Sequence, residues 1–276
     1  EDPDNPLDRW ILSSAETLVA DVTSSLDDYD LQKAIEPIVA FIDSLNNWYI
    51  RRSRRRFWRS ENDRDKDQAY QTLYAVLMKL IKVAAPFIPF VTEAMYQNLR
   101  TEGMPESVHL CDYPEVEQER RDEELEWKMA SVRRAVSMGR GIRRMHNLKI
   151  RQPLKAIHLV TIDRKERTVL LEMEDIIREE LNVKDVVYRE NEDDLVEYRA
   201  KPNYRVLGKE LGKDMKKAAQ KIESLSSKEI QSLLEGTVLN IDIGNRTLDL
   251  TTESVLVQRL EKENLRVLNE GSLTVA

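Results

Sequence analysis

Between Trp48 and Arg59 the chain packs six arginines (Arg51, Arg52, Arg54, Arg55, Arg56, Arg59) and four aromatics (Trp48, Tyr49, Phe57, Trp58) into one segment. That combination suits unpaired RNA. Guanidinium groups fork onto phosphates and stack on bases, and aromatic faces replace the stacking an unpaired base loses, worth roughly 1–3 kcal/mol per base. The competing reading is a solvated basic helix end, where cations suit the negative pole of the helix dipole. That reading explains the arginines but asks nothing of Phe57 and Trp58, unless they belong to the core. On the first reading Trp48, Arg51, Arg52, Arg54, Arg55, Arg56 and Trp58 are candidate nucleic-acid contacts. Helical geometry sends Arg51, Arg55 and Trp58 to one side and Arg52, Arg56 and Arg59 about a third of a turn round. Arg51, Arg55 and Trp58 are therefore expected to face the ligand.

A second basic stretch runs from Arg133 to Lys155 without an Asp or Glu. Its candidate contacts are Arg140, Arg143, Arg144, Lys149 and Arg151. Gly139 and Gly141 weaken a helix and let backbone approach phosphates closely, which fits an RNA-facing segment. The alternative is a basic helix paired with the acidic residues just before it, Glu119 to Glu126. No catalytic constellation accompanies these stretches. His109, His146 and His158 are far apart, and His109 with Cys111 supplies two ligands where a structural zinc needs four. Neither a phosphate-cradling glycine loop nor a nucleophile elbow is present. No catalytic residue, metal or cofactor is assigned to this chain.

The elements that must position these residues follow from periodicity. Asn5-Pro6 reads as a cap and first-turn proline, followed by Trp10, Ile11, Leu18, Val22 and Leu26 at near-helical spacing. A second helix places Leu31, Ile35, Ile38, Ile42, Leu45 and Tyr49 on one stripe, with Pro37 as an interior breaker that kinks it or removes one bond. Leu73, Leu77, Leu80, Ile81 and Ala84 mark a third. After Pro86 and Pro89, Phe90, Ala94 and Leu99 mark a fourth, ending near Gly103 and Pro105. Short links between them predict an antiparallel bundle. A long helical pattern then runs from Gln118 through Leu125, Met129, Val132, Val136 and Met138 to about Asn147.

After Pro153 the period switches. Ala156 to Ile162 reads as strand, Lys165 to Leu181 as helix and Val183 to Tyr188 as strand. Leu239, Ile241 and Ile243 alternate with polar residues before Gly244-Asn245, a tight hairpin turn into Leu248 and Leu250. The expected fold is mainly α, an N-terminal antiparallel helix bundle over residues 1–117 followed by a smaller mixed α+β domain over 118–276. Two domains suit a length of 276 residues.

With 41% apolar and 34% charged residues the chain suits a helix-rich globular protein. No apolar run approaches the roughly 20 residues of a membrane span, and one cysteine, Cys111, fits a reducing, cytoplasmic setting. Glu1 is not a start methionine and Leu273 to Ala276 reads like a strand stopped midway, so a fragment of a longer protein is expected. The net charge of −7 argues against a nucleic-acid partner only if charge is evenly spread, and it is not.

The motifs resemble a known family. Leu7-Asp8-Arg9-Trp10-Ile11-Leu12-Ser13 is similar to the opening of the anticodon-binding bundle of class Ia aminoacyl-tRNA synthetases, and Ala85-Pro86-Phe87-Ile88-Pro89-Phe90 with Glu93 to its last helix. Within that class, Asn47 to Trp58 resembles the isoleucyl-tRNA synthetases, whereas the valyl enzymes typically carry an acid shortly after the Trp-Tyr pair. Arg151-Gln152-Pro153-Leu154 and Lys201-Pro202-Asn203-Tyr204-Arg205-Val206-Leu207-Gly208 resemble the segment after the bundle in isoleucyl enzymes of the eukaryote-like type. The resemblance implies a tRNA recognition module for isoleucine tRNA. Its parent would use ATP and Mg to attach isoleucine, would hydrolyse mischarged valyl-tRNA, and would hold the catalytic domain N-terminal to this segment as a further partner. Lys128-Met129-Ala130-Ser131 superficially resembles the KMSKS nucleotide loop of such enzymes but lies inside a helical pattern, so the fragment alone is expected to be inactive. Two other readings stand beside this one: the same region of a valyl or leucyl enzyme, and a helical module that binds an acidic protein partner.

Overall fold

The computed structural model describes residues 3–58, 63–161, 163–190, 195–244, 247–261 and 265–276. The chain divides into two compact units, 1–129 and 130–276. The fold is mainly α, a helix bundle followed by an α+β region whose first strand begins at Leu154.

In the first unit α1 (Pro6–Asp27) starts where the sequence says it should, with the Asn5 side chain accepting the Leu7 N–H at 2.9 Å. Helix α2 (Leu31–Ser44) is capped by Asp30 and continues through Pro37 into a π-helical turn, Leu45–Ile50, and then α3 (Arg51–Trp58). Helix α4 (Arg64–Ala84) is capped by Asp63, and α5 (Pro89–Leu99) opens on its proline. Trp10, Ile11, Leu18 and Val22 of α1 are buried between α2 and α4. Each of the aliphatic three contributes roughly 1.5–3 kcal/mol by leaving water.

Two expected core stripes are corrected. Ile38, Leu45 and Tyr49 are buried, but Leu31, Ile35 and Ile42 are exposed. The apolar arc of α2 is wider than the surface α1 offers it. On α5 the inner residues are Thr92 and Tyr96, while Phe90 is 90% exposed. The buried Thr92 donates its hydroxyl back to the Ile88 carbonyl at 2.9 Å.

Helix α6 (Glu123–Met145) starts later than the periodicity suggests. Asp122 accepts the Leu125 N–H at 2.9 Å, and Gln118–Arg120 forms a separate 3₁₀ turn. The acidic first turns of α6 belong to the first unit, where Glu126 accepts the hydroxyls of Ser13 and Thr17. The helix ends with Asn147 in the left-handed region (φ 55°) and the Leu148 N–H returning to the Arg143 carbonyl at 2.7 Å.

Strand β1 (Leu154–Thr161) runs parallel to β2 (Val183–Arg189). The crossover is two helices rather than one, α7 (Arg164–Glu172) and α8 (Glu174–Leu181), broken at Met173. Ile162, the expected strand end, lies outside the described residues. Strand β3 (Val196–Pro202), helices α9 (Tyr204–Leu211), α10 (Met215–Glu223) and α11 (Ser227–Leu234), and strands β4 (Leu239–Asp242), β5 (Thr247–Leu250) and β6 (Val255–Glu261) follow. They enclose a second core that includes Leu207, Ile222, Ile230 and Leu250. Strands β4 and β5 pair antiparallel as expected, although Asn245 of the turn lies outside the described residues. Strands β7 (Leu268–Glu270) and β8 (Leu273–Val275) return to the first sheet, giving the order β2-β1-β8-β7. Among the described residues no helix is long and apolar enough to cross a membrane.

Candidate nucleic-acid interface

The arginine segment is built from the inside outward. Arg56 is 7% exposed and turns into the bundle. Its Nη1 and Nη2 each donate to Asp8, at 2.7 Å to Oδ1 and Oδ2, and Nη2 also meets Asp65 Oδ1 at 2.7 Å. Tyr49 donates its hydroxyl to the same Asp8 at 2.8 Å. Burial opposes the Arg56 charge, but the bonds to Asp8 and Asp65 outweigh it and hold its pKa above the ordinary value. Burial, reinforced by Asp8, also raises the Tyr49 phenol, keeping it a donor. Phe57 packs beside Tyr49 and Tyr70, with ring centroids 6.4 and 5.2 Å apart respectively.

With Ser53, Arg56 and Phe57 buried, the opposite face of α3 carries Arg51, Arg54, Arg55 and Trp58, all exposed. Their spacing is i, i+3, i+4, i+7, one continuous stripe. Trp58 is 75% exposed, and the Arg54 guanidinium carbon lies 5.0 Å from its ring centroid. Such a pair is a preassembled stacking surface, because the cation sits on the electron-rich ring face. Arg51 Nε donates to the Asn47 carbonyl at 2.7 Å, and its guanidinium lies 6.0 Å from the Trp48 ring. Arg52 is half-buried. Arg59 lies outside the described residues.

Two members of the predicted set lie inside the bundle. Arg56 is a bundle clamp, because a guanidinium between two carboxylates is held inside rather than offered to solvent. Trp48, in the π-helical turn, is 6% exposed. Phe57, read as either a stacking or a core residue, belongs to the core.

In the second basic stretch some members are captured within the fold and others are exposed. Arg143 is 4% exposed and donates to four carbonyls: Lys149 at 2.9 Å, Gln152 at 3.0 Å, Leu181 at 2.6 Å and Asn182 at 3.3 Å. It fastens the segment after α6 to the end of α8, and burial lowers its pKa. Arg140 is paired with Glu180 and Arg134 with Glu166, both buried acids of the second unit. These pairings are not with Glu119 to Glu126, the acidic stretch that the sequence suggested. Gly139 makes room for packing: a Cβ there would lie 2.6 Å from Leu181 Cδ1. Arg144, Lys149 and Arg151 remain exposed.

The other sequence features are quiet. Lys128 pairs with Glu124 at 3.5 Å and Met129 is fully buried within α6, so Lys128 to Ser131 is helix rather than a nucleotide loop. Among the described residues no cluster of three or more His, Cys, Asp or Glu could hold a metal ion. Glu93, part of the motif around α5, accepts the Ser107 hydroxyl at 2.8 Å and the Val108 N–H at 2.9 Å. It pins the following loop to α5.

A helix bundle closed by an internal arginine clamp, with Arg51, Arg54 and Arg55 turned outward beside Trp58, matches a defined class. Residues 8–158 fit the family described as the anticodon-binding domain of tRNA ligase, and the chain belongs to that family. It is similar to the isoleucine–tRNA ligase of Treponema denticola, at 59% identity over 271 residues, covering 98% of this chain and 25% of that protein. The isoleucine–tRNA ligases of Treponema pallidum (strain Nichols) and Protochlamydia amoebophila are 57% and 46% identical, each over 99% of this chain. The chain spans about a quarter of the length of these relatives.

Proposed function

We propose that this chain is the tRNA recognition module of an isoleucine–tRNA ligase, and that it grips isoleucine tRNA with the outer face of α3. The observation that carries the reading is the exposed stripe Arg51, Arg54, Arg55 and Trp58, held in place from behind by Arg56 and Asp8. A solvated helix end would have no use for a tryptophan left mostly in water beneath a guanidinium. The similarity to isoleucine–tRNA ligases over nearly the whole chain supports the choice of tRNA. Arg144, Lys149 and Arg151 add exposed charge for the phosphate backbone. The parent enzyme would use ATP and Mg to charge the tRNA in the cytoplasm, through a catalytic domain outside these residues. The 276-residue chain by itself is expected to show no ATP–pyrophosphate exchange.

The test is binding of isoleucine and valine tRNA transcripts to this chain and to a variant with Arg51, Arg55 and Trp58 replaced by Ala. The variant should lose affinity for isoleucine tRNA and bind with a shallower salt dependence, about 0.7–0.9 log units per phosphate contact removed. Unchanged affinity and slope in a variant whose circular dichroism and melting show an intact fold would refute the proposal.

A further inference from the structure

Within the first unit a cavity of about 310 Å³ opens between α1, α4 and residues 114–120, at the lower end of the size range of small-molecule sites. Its floor is apolar. Leu12 and Ala15 of α1 and Ala75, Val76 and Met78 of α4 line it, and the two alanines leave room that longer side chains would fill. A second hollow of about 170 Å³ shares Leu12, Ala75 and Arg120 with it.

Three acids and three bases also line the cavity. Four of these six satisfy one another. Glu16, 1% exposed, accepts from Lys79 Nζ and, at 3.0 Å, from the Glu117 N–H. Lys79 Nζ also reaches Glu117 Oε1 at 3.1 Å, and Arg120 Nε meets Glu117 Oε2 at 3.1 Å. This chain of alternating charges holds residues 117–120 against α1 and α4 and so builds one wall. The other two are Lys82, half-buried on α4, and Glu115, exposed on the facing segment. Among the described residues neither has an ion-pair partner.

That remainder selects the occupant. The lining charges cancel, so a metal ion would be opposed by Lys82 and a phosphate by Glu115. A hydrocarbon would strip water from both charges and return nothing. A small molecule with one carboxylate, one ammonium and an apolar body answers the lone cation, the lone anion and the floor together.

We propose that this cavity binds a free aliphatic α-amino acid, with its carboxylate on Lys82, its ammonium on Glu115 and its side chain against Ala15, Ala75 and Met78. The site shares no residue with the tRNA grip assigned to α3 and does not depend on it.

The experiment follows the methyl groups of Ala15, Ala75 and Met78 by NMR in the 276-residue chain during titration with L-leucine and L-isoleucine. So small a ligand calls for concentrations up to about 20 mM. The three methyls should shift and saturate, while that of Ala218, in the core of the second unit, stays in place. Isocaproate, which is leucine without its ammonium, and isoamylamine, which is leucine without its carboxylate, should each bind about tenfold more weakly. Lys82→Ala and Glu115→Gln should each weaken leucine binding about tenfold. Their melting temperature should not change, because neither side chain has a partner in the fold to lose. Ala75→Leu, which fills the cavity, should abolish the shifts. The absence of saturable shifts at about 20 mM overturns the site and leaves the cavity to water. If isocaproate or isoamylamine binds as tightly as leucine, or if either charge variant binds leucine as before, the amino-acid assignment falls.

Discussion

Arg56 spans 48 residues of chain to place both terminal nitrogens 2.7 Å from the two oxygens of Asp8. This fork joins α3 to the first turn of α1, and Tyr49 completes it from the π-helical turn. Breaking a buried pair by removing one partner costs about 3–5 kcal/mol; here the half-exposed Asp65 still meets Arg56, which places the cost at the lower end. Asp8→Ala is therefore expected to lower unfolding free energy by that order in urea titrations. Replacing Asp8 and Arg56 together by apolar residues of similar volume should cost far less. A single replacement that shifts stability by under about 1 kcal/mol would show that the clamp is not what orients α3.

Gly139 of α6 is fixed by packing. At Gly139 an added Cβ would lie 2.6 and 2.9 Å from the methyls of Leu181 and 3.3 Å from Ile157 Cδ1. Leu181 is itself buried at the end of α8 and has little room to retreat. Overpacking of this kind costs about 1–3 kcal/mol, more than the roughly 1 kcal/mol that alanine adds to a helix. Gly139→Ala should thus lower the melting temperature. A rise would show that the α6–α8 contact is loose.

Helix existence was legible because it rests on local periodicity and capping: Asn5-Pro6 and the α4 stripe sit where spacing puts them. Which face of a helix is buried was less legible. Leu31 and Phe90 fit an apolar stripe yet are exposed, because burial depends on what the neighbouring helix covers. The same limit applies to the candidate site. An arginine run shows its charge but not its phase, so Arg56 and Arg143 read like their exposed neighbours until the carboxylates and carbonyls that capture them are placed in space. The signal that could have singled out Arg56 is Asp8, an acid two and three residues before the apolar Trp10 and Ile11 of the core stripe. Strands β3 and β6 pair across more than fifty residues and carry no local turn signal.

Glu93 gives the fold a defined acid sensitivity. The bond from Gln97 leads, followed by those from the Val108 N–H and Ser107, and together they hold its carboxyl below the ordinary glutamate value of 4.5. A folded-state pKa below the unfolded one means the stabilisation is complete above about 4.5 and is lost as the pH falls through the folded value. Glu93→Gln should be less stable than the parent at neutral pH, and the gap should narrow on acidification below 4.5. Amide exchange at Val108 and His109 should quicken in the variant at neutral pH. A stability difference that stays constant from pH 7 to 3 would show that the carboxylate is not what pins this loop.

Trp58 and Arg55 should fail in different ways if α3 grips RNA as proposed. A phosphate contact is blind to sequence, so Arg55→Ala should weaken isoleucine and valine tRNA alike and reduce the salt slope by about 0.7–0.9. A stacked base belongs to one tRNA, so Trp58→Ala should cost roughly 1–3 kcal/mol with isoleucine tRNA and much less with the other. Arg54 complicates this, since its guanidinium rests 5.0 Å above the Trp58 ring and loses its platform when the indole goes. Trp58→Phe keeps a smaller platform with a weaker quadrupole, so it should recover part of the affinity and most of the discrimination. If Trp58→Ala and Trp58→Phe lower both affinities equally and change the salt slope as Arg55→Ala does, the indole is only a support for Arg54, and discrimination must come from elsewhere on the chain.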